Sequence, residues 1–168
     1  MPSKEISAGL LAYRRRDPIE VLLAHPGGPY WARKDDGAWT IPKGLVRPDD
    51  LLTGALREFG EETGLTAQGP FMALAAVRQK SGKTVYAFAF EADLDLSSFS
   101  SNTFEMEWPP RSGLKKEFPE IDRIGWFGMK AAMTKIIGYQ QPFLVELEAK
   151  LAAPSSLAPL LRGEGGEA

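Results

Sequence analysis

The sequence predicts a layered α/β domain with a mixed β-sheet. Short apolar segments with the composition of β-strands recur along the chain, and a few segments with helical periodicity lie between and after them. The 168 residues, of which 43% are hydrophobic, suffice for one core, so we expect a single domain over residues 1–153. Residues 154–168 are rich in Pro, Ser, Gly and Glu. They are predicted to form a disordered tail, because they offer too little apolar surface to offset the entropy of ordering.

The first elements are predicted from apolar runs and turn residues. The segments from Ile6 to Tyr13 and from Ile19 to Ala24 are expected to form a β-hairpin, with Asp17-Pro18 as the turn signal between them. The glycine- and proline-containing segment from Pro26 to Gly37 is predicted to be a loop. The segment from Ala38 to Ile41 is expected to be extended, because the proline that follows disfavours a helix.

A helix is predicted to begin at Pro48 and to end near Thr63. Asp49 is expected to cap its N-terminus, and Gly64 is placed to end it in the left-handed conformation. The segment from Asp93 to Pro119 is polar and is expected to be irregular, and its part from Pro109 to Pro119 is expected to be mobile. The remaining predicted elements are strands at Phe71 to Gln79, Thr84 to Ala92, Thr103 to Glu107 and Ile124 to Phe127, and helices at Ala131 to Ile137 and Phe143 to Ala152.

Composition excludes several classes of function. The net charge of −2 and the lack of a long basic run argue against a long nucleic-acid partner, which needs a basic stripe. The absence of cysteine excludes disulfides, thiolate metal sites and a cysteine nucleophile. No apolar stretch is long enough to cross a bilayer, so we expect no membrane association and a cytoplasmic location. The sequence carries no signal for an oligomeric state.

Three glutamates of the predicted helix are the most informative feature of the chain. At about 100° per residue, Glu58, Glu61 and Glu62 fall on one side, next to the apolar side that carries Ala55 and Phe59. Such a cluster is either a solvated acidic face, with Arg57 paired to Glu61 at i+4, or a site for a hard divalent cation with oxygen ligands.

Gly54 lies one turn before Glu58 on the same helix. Glycine inside a helix costs about 1 kcal/mol relative to alanine. Its presence is interpreted either as room for a bulky anion above the carboxylates or as simple tolerance.

These residues resemble the conserved box of the Nudix hydrolase family. The segment Arg57-Glu58-Phe59-Gly60-Glu61-Glu62-Thr63-Gly64-Leu65 matches the second half of that box. The first half departs from it, because Gly44 is one residue too close and Asp49, or Asp50, replaces a glutamate. Further similarity extends from Ser3 to Leu151, including Trp39-Thr40-Ile41-Pro42-Lys43-Gly44 before the box and Glu120 six residues before Trp126.

The resemblance implies a Nudix-type α/β/α sandwich with a mixed β-sheet over residues 1–153, and a divalent metal, Mg²⁺ or Mn²⁺. By the same resemblance, Gly44, Glu58 and Glu62 would be metal ligands, and Glu61 would bind the metal or a water on it. Arg57 would orient the glutamates. Glu120, or Glu117 instead, would bind metal or act as the base, delivered by the mobile segment after Trp108.

The resemblance further implies a small nucleotide-like substrate, a nucleoside diphosphate linked to another group. Lys43 and Arg78, and also Lys80, are candidate phosphate contacts, and Trp31 is a candidate for stacking on a base, as are Tyr30, Phe104 and Trp108. His25 is interpreted as structural. Members of the family that hydrolyse ADP-ribose often carry a proline well downstream of the box, whereas the only proline between Thr66 and Tyr86 is Pro70, which is too close to it. This favours dinucleoside polyphosphates or nucleoside triphosphates. ADP-ribose hydrolysis and a non-catalytic nucleotide-sensing role remain the alternatives.

Overall fold

The computed structural model describes residues 5–153, so the segment predicted as a tail, 154–168, lies outside the described residues. Within this range no helix is long and apolar enough to cross a membrane. The elements in chain order are β1 (Ile6–Arg14), β2 (Glu20–Pro26), β3 (Lys43–Leu45), α1 (Leu51–Thr63), β4 (Met72–Ala73), β5 (Val77–Arg78), β6 (Thr84–Glu91), β7 (Thr103–Glu107), β8 (Lys115–Pro119), β9 (Ile121–Gly128), α2 (Met129–Lys135) and α3 (Gln141–Ala152).

A seven-stranded mixed sheet forms the centre of the domain. Its main strands run in the order β4-β6-β1-β2-β9, and β3 and β5 pair with β1 and β6. β1 is parallel to β6 and antiparallel to β2, and β9 closes the sheet antiparallel to β2. This arrangement confirms the predicted mixed sheet and the hairpin of the first two strands.

Two hydrophobic clusters cover the two faces of this sheet. Alternation along β1 sends Leu10 into one cluster and Leu11 into the other. The first cluster packs under α1 around Phe59, and the second packs under α2 and α3 around Phe143 and Leu147. The layers are therefore helix, sheet and helices, which is the predicted α/β/α sandwich.

The start of α1 differs from the prediction. The helix begins at Leu51, and the residue before it, Asp50, stands at the N-cap without a side-chain hydrogen bond. Asp49 lies in the preceding turn, which the Asp50 amide closes by donating to the Arg47 carbonyl over 3.0 Å. The proposed capping role of Asp49 is thus wrong, because the turn moves the helix start beyond it.

The stretch after β6 is more ordered than predicted. The expected strand at Thr103–Glu107 is present as β7, but it pairs with β8 in a separate two-stranded sheet, from Thr103 opposite Pro119 to Glu107 opposite Lys115. The expectation of one irregular segment up to Pro119 is corrected by this hairpin. Between Phe71 and Gln79, the single predicted strand is instead two short ones, β4 and β5.

Candidate active site

A cavity of about 510 Å³ opens where β3, α1 and the starts of β1 and β6 meet the turn before β9. Its lining combines four carboxylates with two ammonium groups and a few neutral polar groups. The lining residues are Ser7, Lys43, Gly44, Leu45, Glu58, Glu61, Glu62, Lys83, Asn102, Thr103 and Glu120.

The register of α1 delivers three of the carboxylates. Ala55 and Phe59 are fully buried against the sheet, which fixes the rotation of the helix. Glu58, Glu61 and Glu62 lie on the adjoining side because residues three and four apart stack along a helix. The sequence-based grouping of these glutamates is therefore what the fold produces.

Gly44 stands directly against the Glu58 side chain. A Cβ built on Gly44 would overlap the Glu58 carboxylate, so only glycine lets this carboxylate lie against the β3 backbone. Arg57 approaches the same group from outside the cavity, with its guanidinium 3.4 Å from Glu58 Oε2 and 3.9 Å from Glu61 Oε2. Arg57 also reaches Asp50 over 3.8 Å. The expected Arg57–Glu61 pair is therefore present, but Arg57 also contacts the carboxylates of Glu58 and Asp50.

The inner carboxylate, Glu62, is the most perturbed group of the cavity. Burial raises the pKa of Glu62 to about 8, although the Lys43 backbone N–H donates to Glu62 Oε1 over 3.1 Å and favours the ionised form. Burial also raises the pKa of Glu58, and the charge of Glu61 raises it further. At these two carboxylates, burial thus outweighs the favourable charges of Lys43 and Arg57.

The backbone around Glu120 is held at both ends. Its N–H donates to the Asn102 carbonyl over 2.7 Å, and its carbonyl accepts from the Gly27 N–H over 2.9 Å. The Asn102 N–H in turn donates to the carbonyl of Glu61 over 2.9 Å. This backbone chain ties Glu120 to α1, and the β7–β8 hairpin replaces the loop that was expected before it.

The other sequence-based candidates are placed differently. Lys43 lines the cavity, and burial, followed by the charge of Lys83, lowers its pKa. Arg78 is exposed on β5, Trp31 is half-buried in the loop after β2, and Glu117 is exposed on β8 opposite Glu105; none of the three is among the lining residues.

Lys83, Ser7, Asn102 and Thr103 line the cavity but were missed from the sequence. The parallel pairing of β1 with β6 brings Ser7 beside the start of β6, where Lys83 lies. Gly54 has a packing role rather than an anion-binding one, because a Cβ there would meet Val46 Cγ1 at 2.5 Å.

Comparison with known proteins decides the family. The model of the NUDIX domain matches residues 4–146 of this chain. The chain belongs to the Nudix family. It is accordingly a pyrophosphohydrolase that acts on phosphorus-containing anhydrides, and Nudix enzymes generally use divalent metals. No curated protein sequence matches this chain.

Solved structures of Nudix proteins share the fold at low sequence identity. The NUDIX domain of Shewanella oneidensis NrtR, complexed with ADP ribose, has a TM-score of 0.63 at 13% identity, with 91% of each chain covered. The Ap4A hydrolase of Caenorhabditis elegans, in a binary complex, has a TM-score of 0.58 at 22% identity, covering 87% of this chain and 98% of that one. The MutT protein of Methanosarcina mazei has a TM-score of 0.59 at 21% identity, covering 89% and 96%.

The lining residues of this Nudix chain suit a hard divalent cation. All four ionisable acids of the cavity offer oxygen donors, and the lining contains neither histidine nor cysteine. Among residues 5–153, no three His, Cys, Asp or Glu side chains are gathered as a complete metal-binding cluster. Magnesium usually takes only one or two carboxylates and keeps several waters, so a fully closed protein cage is not required.

Proposed function

We propose that this chain hydrolyses the pyrophosphate linkage of a dinucleoside polyphosphate or a nucleoside triphosphate, with Mg²⁺ or Mn²⁺ as cofactor. One observation carries the proposal: the same cavity is lined by four carboxylates, Glu58, Glu61, Glu62 and Glu120, and by the ammonium groups of Lys43 and Lys83. Carboxylates suit the metal, and lysines suit the phosphate oxygens of the substrate.

Glu58 and Glu62, together with the backbone carbonyl of Gly44, are the proposed metal ligands, and Glu61 binds the metal or a water attached to it. A bound divalent ion lowers the pKa of water and neutralises charge on the phosphates. Glu58 and Glu62 suit this role because burial disfavours their ionised forms, and a bound divalent cation would favour those forms again. Arg57 keeps Glu58 and Glu61 in place from the outer side.

Glu120 is the proposed general base. Its carboxylate takes the proton of the attacking water while the new P–O bond forms and the anhydride P–O bond breaks. The leaving phosphate carries away the bonding electron pair. The fixed backbone of Glu120 supports this role, since a base must stand at a defined distance from the water. Glu61, which lines the same cavity, is the alternative base.

The preference for dinucleoside polyphosphates and nucleoside triphosphates over ADP-ribose rests on the sequence. Members that hydrolyse ADP-ribose often carry a proline well downstream of the box, and the only proline between Thr66 and Tyr86 is Pro70, which is close to the box. The resemblance to an Ap4A hydrolase and a MutT protein agrees with this preference. The resemblance to a NUDIX domain complexed with ADP ribose keeps ADP-ribose as the competing substrate.

A substrate panel tests the proposal. Dinucleoside polyphosphates, nucleoside triphosphates and ADP-ribose are each incubated with Mg²⁺ or Mn²⁺, and phosphate and pyrophosphate release are measured. We expect turnover of one of the first two classes, loss of turnover in excess EDTA, and loss in Glu58→Gln. Full turnover in EDTA would refute the metal mechanism. Tight nucleotide binding without any turnover would establish the sensing role instead.

A further inference from the structure

A β-bulge interrupts the pairing of β2 with β9 beside the cavity. Along β9 the register pairs His25 with Arg123 and then Pro26 with Ile121, so Asp122 is an extra residue without a partner on β2. Bulges are found next to active sites, where they redirect a side chain. This bulge lies two residues after Glu120.

A hydrogen-bonded pair of side chains, His25 and Asp122, occupies the bulge. His25 is fully buried, and its Nδ1 lies 2.9 Å from Asp122 Oδ1, while its Nε2 lies 2.6 Å from the Lys34 carbonyl oxygen. A carbonyl only accepts hydrogen bonds, so Nε2 donates to Lys34. A second hydrogen bond to Asp122 then needs one more proton, on the imidazole or on the carboxyl group. His25 therefore joins the extra residue of β9 to the loop after β2.

Next to this pair, the backbone of Gly27 lies so close to the backbone of Pro119 that only glycine fits there. A Cβ on Gly27 would overlap the Pro119 carbonyl oxygen, and the Gly27 N–H holds the Glu120 carbonyl. On the other side, the Ile121 N–H donates to Ser101 Oγ over 3.0 Å. Glu120 thus lies next to the bulge and is held by the hydrogen bonds of Gly27 and Ser101. The direction of its side chain therefore depends on the conformation of the bulge.

We propose that the His25–Asp122 pair is a positioning device for the catalytic base: it holds the bulge in the conformation that points Glu120 into the cavity. This inference rests on the role of Glu120 in the proposed function. The pair does not touch the cavity itself, because neither His25 nor Asp122 is among its lining residues. Its influence on the reaction passes through Glu120.

The test is a double-mutant cycle on turnover. Asp122→Asn keeps the size of the side chain and removes the charge, and His25→Gln keeps one donor for the Lys34 carbonyl. Each single variant is expected to lower kcat about tenfold or more, with KM within about twofold, since a displaced catalytic group can cost up to about 10²-fold. In the Glu120→Gln background, Asp122→Asn is expected to cause no further loss, because the group it positions is already gone.

Asp93→Asn is the matched control. Asp93 is likewise paired with basic side chains, those of Arg14 and Arg16, but at the opposite end of β1 from the cavity. It is expected to leave kcat unchanged. Melting temperatures of all variants confirm that the protein is folded at the assay temperature.

Three outcomes would overturn the inference. Normal kcat in both Asp122→Asn and His25→Gln, beside an impaired Glu120→Gln, refutes the positioning role and leaves the proposed base intact. Losses that multiply in the Glu120→Gln/Asp122→Asn double variant show that the pair acts on the fold generally. Normal kcat in Glu120→Gln would show that Glu120 is not the base, and the inference would then be wrong as well.

Discussion

At the scale of single residues, Glu62 links the chemistry of the cavity to the stability of the fold. Its carboxylate is held by the Lys43 backbone, yet burial raises its pKa to about 8 from the ordinary value of 4.5. Below the lower of these values the group is protonated in both the folded and the unfolded chain. As the pH rises toward the higher value, only the unfolded chain releases the proton, so the free energy of unfolding falls.

Glu62→Gln is therefore expected to raise the stability of the metal-free protein, and to raise it more at pH 9 than at pH 5. Glutamine has no charge to bury, so the loss of stability with rising pH disappears with it. Urea unfolding in EDTA at pH 5, 7 and 9 measures this, with Glu148→Gln on the exposed side of α3 as control. A Glu62→Gln protein that is less stable than the parent at pH 9 would mark Glu62 as a structural residue.

Glu120→Gln is expected to lower kcat by about 10²-fold or more, the range of a lost general base, with little change in KM. Glu117→Gln is the natural comparison, because Glu117 lies on β8 only three residues earlier and does not line the cavity. Its effect is expected to be small. Steady-state kinetics of the two variants decide between them, and normal turnover in both would transfer the role to Glu61.

At the scale of elements, α1 was the part that could be predicted best. Its apolar and acidic sides follow from a local period of 3.6 residues, and so does the grouping of Glu58, Glu61 and Glu62. The end of the helix at Gly64 was also predicted correctly. Gly64 has φ 73°, and its N–H donates to the Gly60 carbonyl over 2.8 Å. Features set by local sequence were thus accessible without the structure.

The missed features depend on contacts between distant segments. Lys83 joins the cavity only because β6 lies parallel to β1, a pairing that local patterns do not encode. β8 was missed because its charged residues, Lys115 and Lys116, are not typical of a buried strand; both are exposed in the hairpin. Arg78 was chosen for its charge at a strand end, but the pairing of β5 with β6 leaves it outside the lining.

A glycine inside α1, Gly60, and the glycine that ends this helix, Gly64, are expected to respond to alanine in opposite ways. Gly60→Ala should stabilise the protein by about 0.4–1 kcal/mol, because alanine reduces the freedom of the unfolded chain and its Cβ would meet only the Leu65 carbonyl oxygen at 4.0 Å. Gly64→Ala should destabilise it by at least about 1–2 kcal/mol, the cost of the left-handed conformation. Crowding against Ser100, whose backbone oxygen lies 3.0 Å from the built Cβ, adds to this cost.

Chemical denaturation of the two variants measures both effects. Equal destabilisation by the two substitutions would show that α1 tolerates no change of volume on this side. It would also show that the positive φ of Gly64 is not what matters.

At the scale of the whole molecule, metal binding and folding are coupled through the cavity. Residues from β1, β3, α1 and the turn before β9 line it, so unfolding separates the proposed ligands. An ion that binds only the folded protein must raise its stability by mass action. This coupling gives a readout of the metal site that does not depend on knowing the substrate.

Mn²⁺ or Mg²⁺ at about ten times its dissociation constant is expected to add about 1.4 kcal/mol, or roughly 3 to 6 °C in Tm for a chain of this size. Thermal melts with and without EDTA measure the shift. Glu58→Gln should abolish most of this shift in Tm. Asp95→Asn changes an exposed residue that does not line the cavity, so it should leave the shift unchanged. A shift of the same size in Glu58→Gln would place the ion elsewhere on the protein.

The sandwich around β1 has a consequence for the way in which the molecule opens. From Ser7 to Tyr13 this strand is buried, and it pairs with β6 along one edge and with β2 and β3 along the other. Its amides reach solvent only when both faces and both edges separate, which amounts to global unfolding. Among residues 5–153, the strands of the β7–β8 hairpin pair only with each other, so the hairpin can open alone. Amide exchange in deuterated water should therefore differ by orders of magnitude between Leu10 and Met106, because the hairpin beside the cavity can open while β1 stays paired.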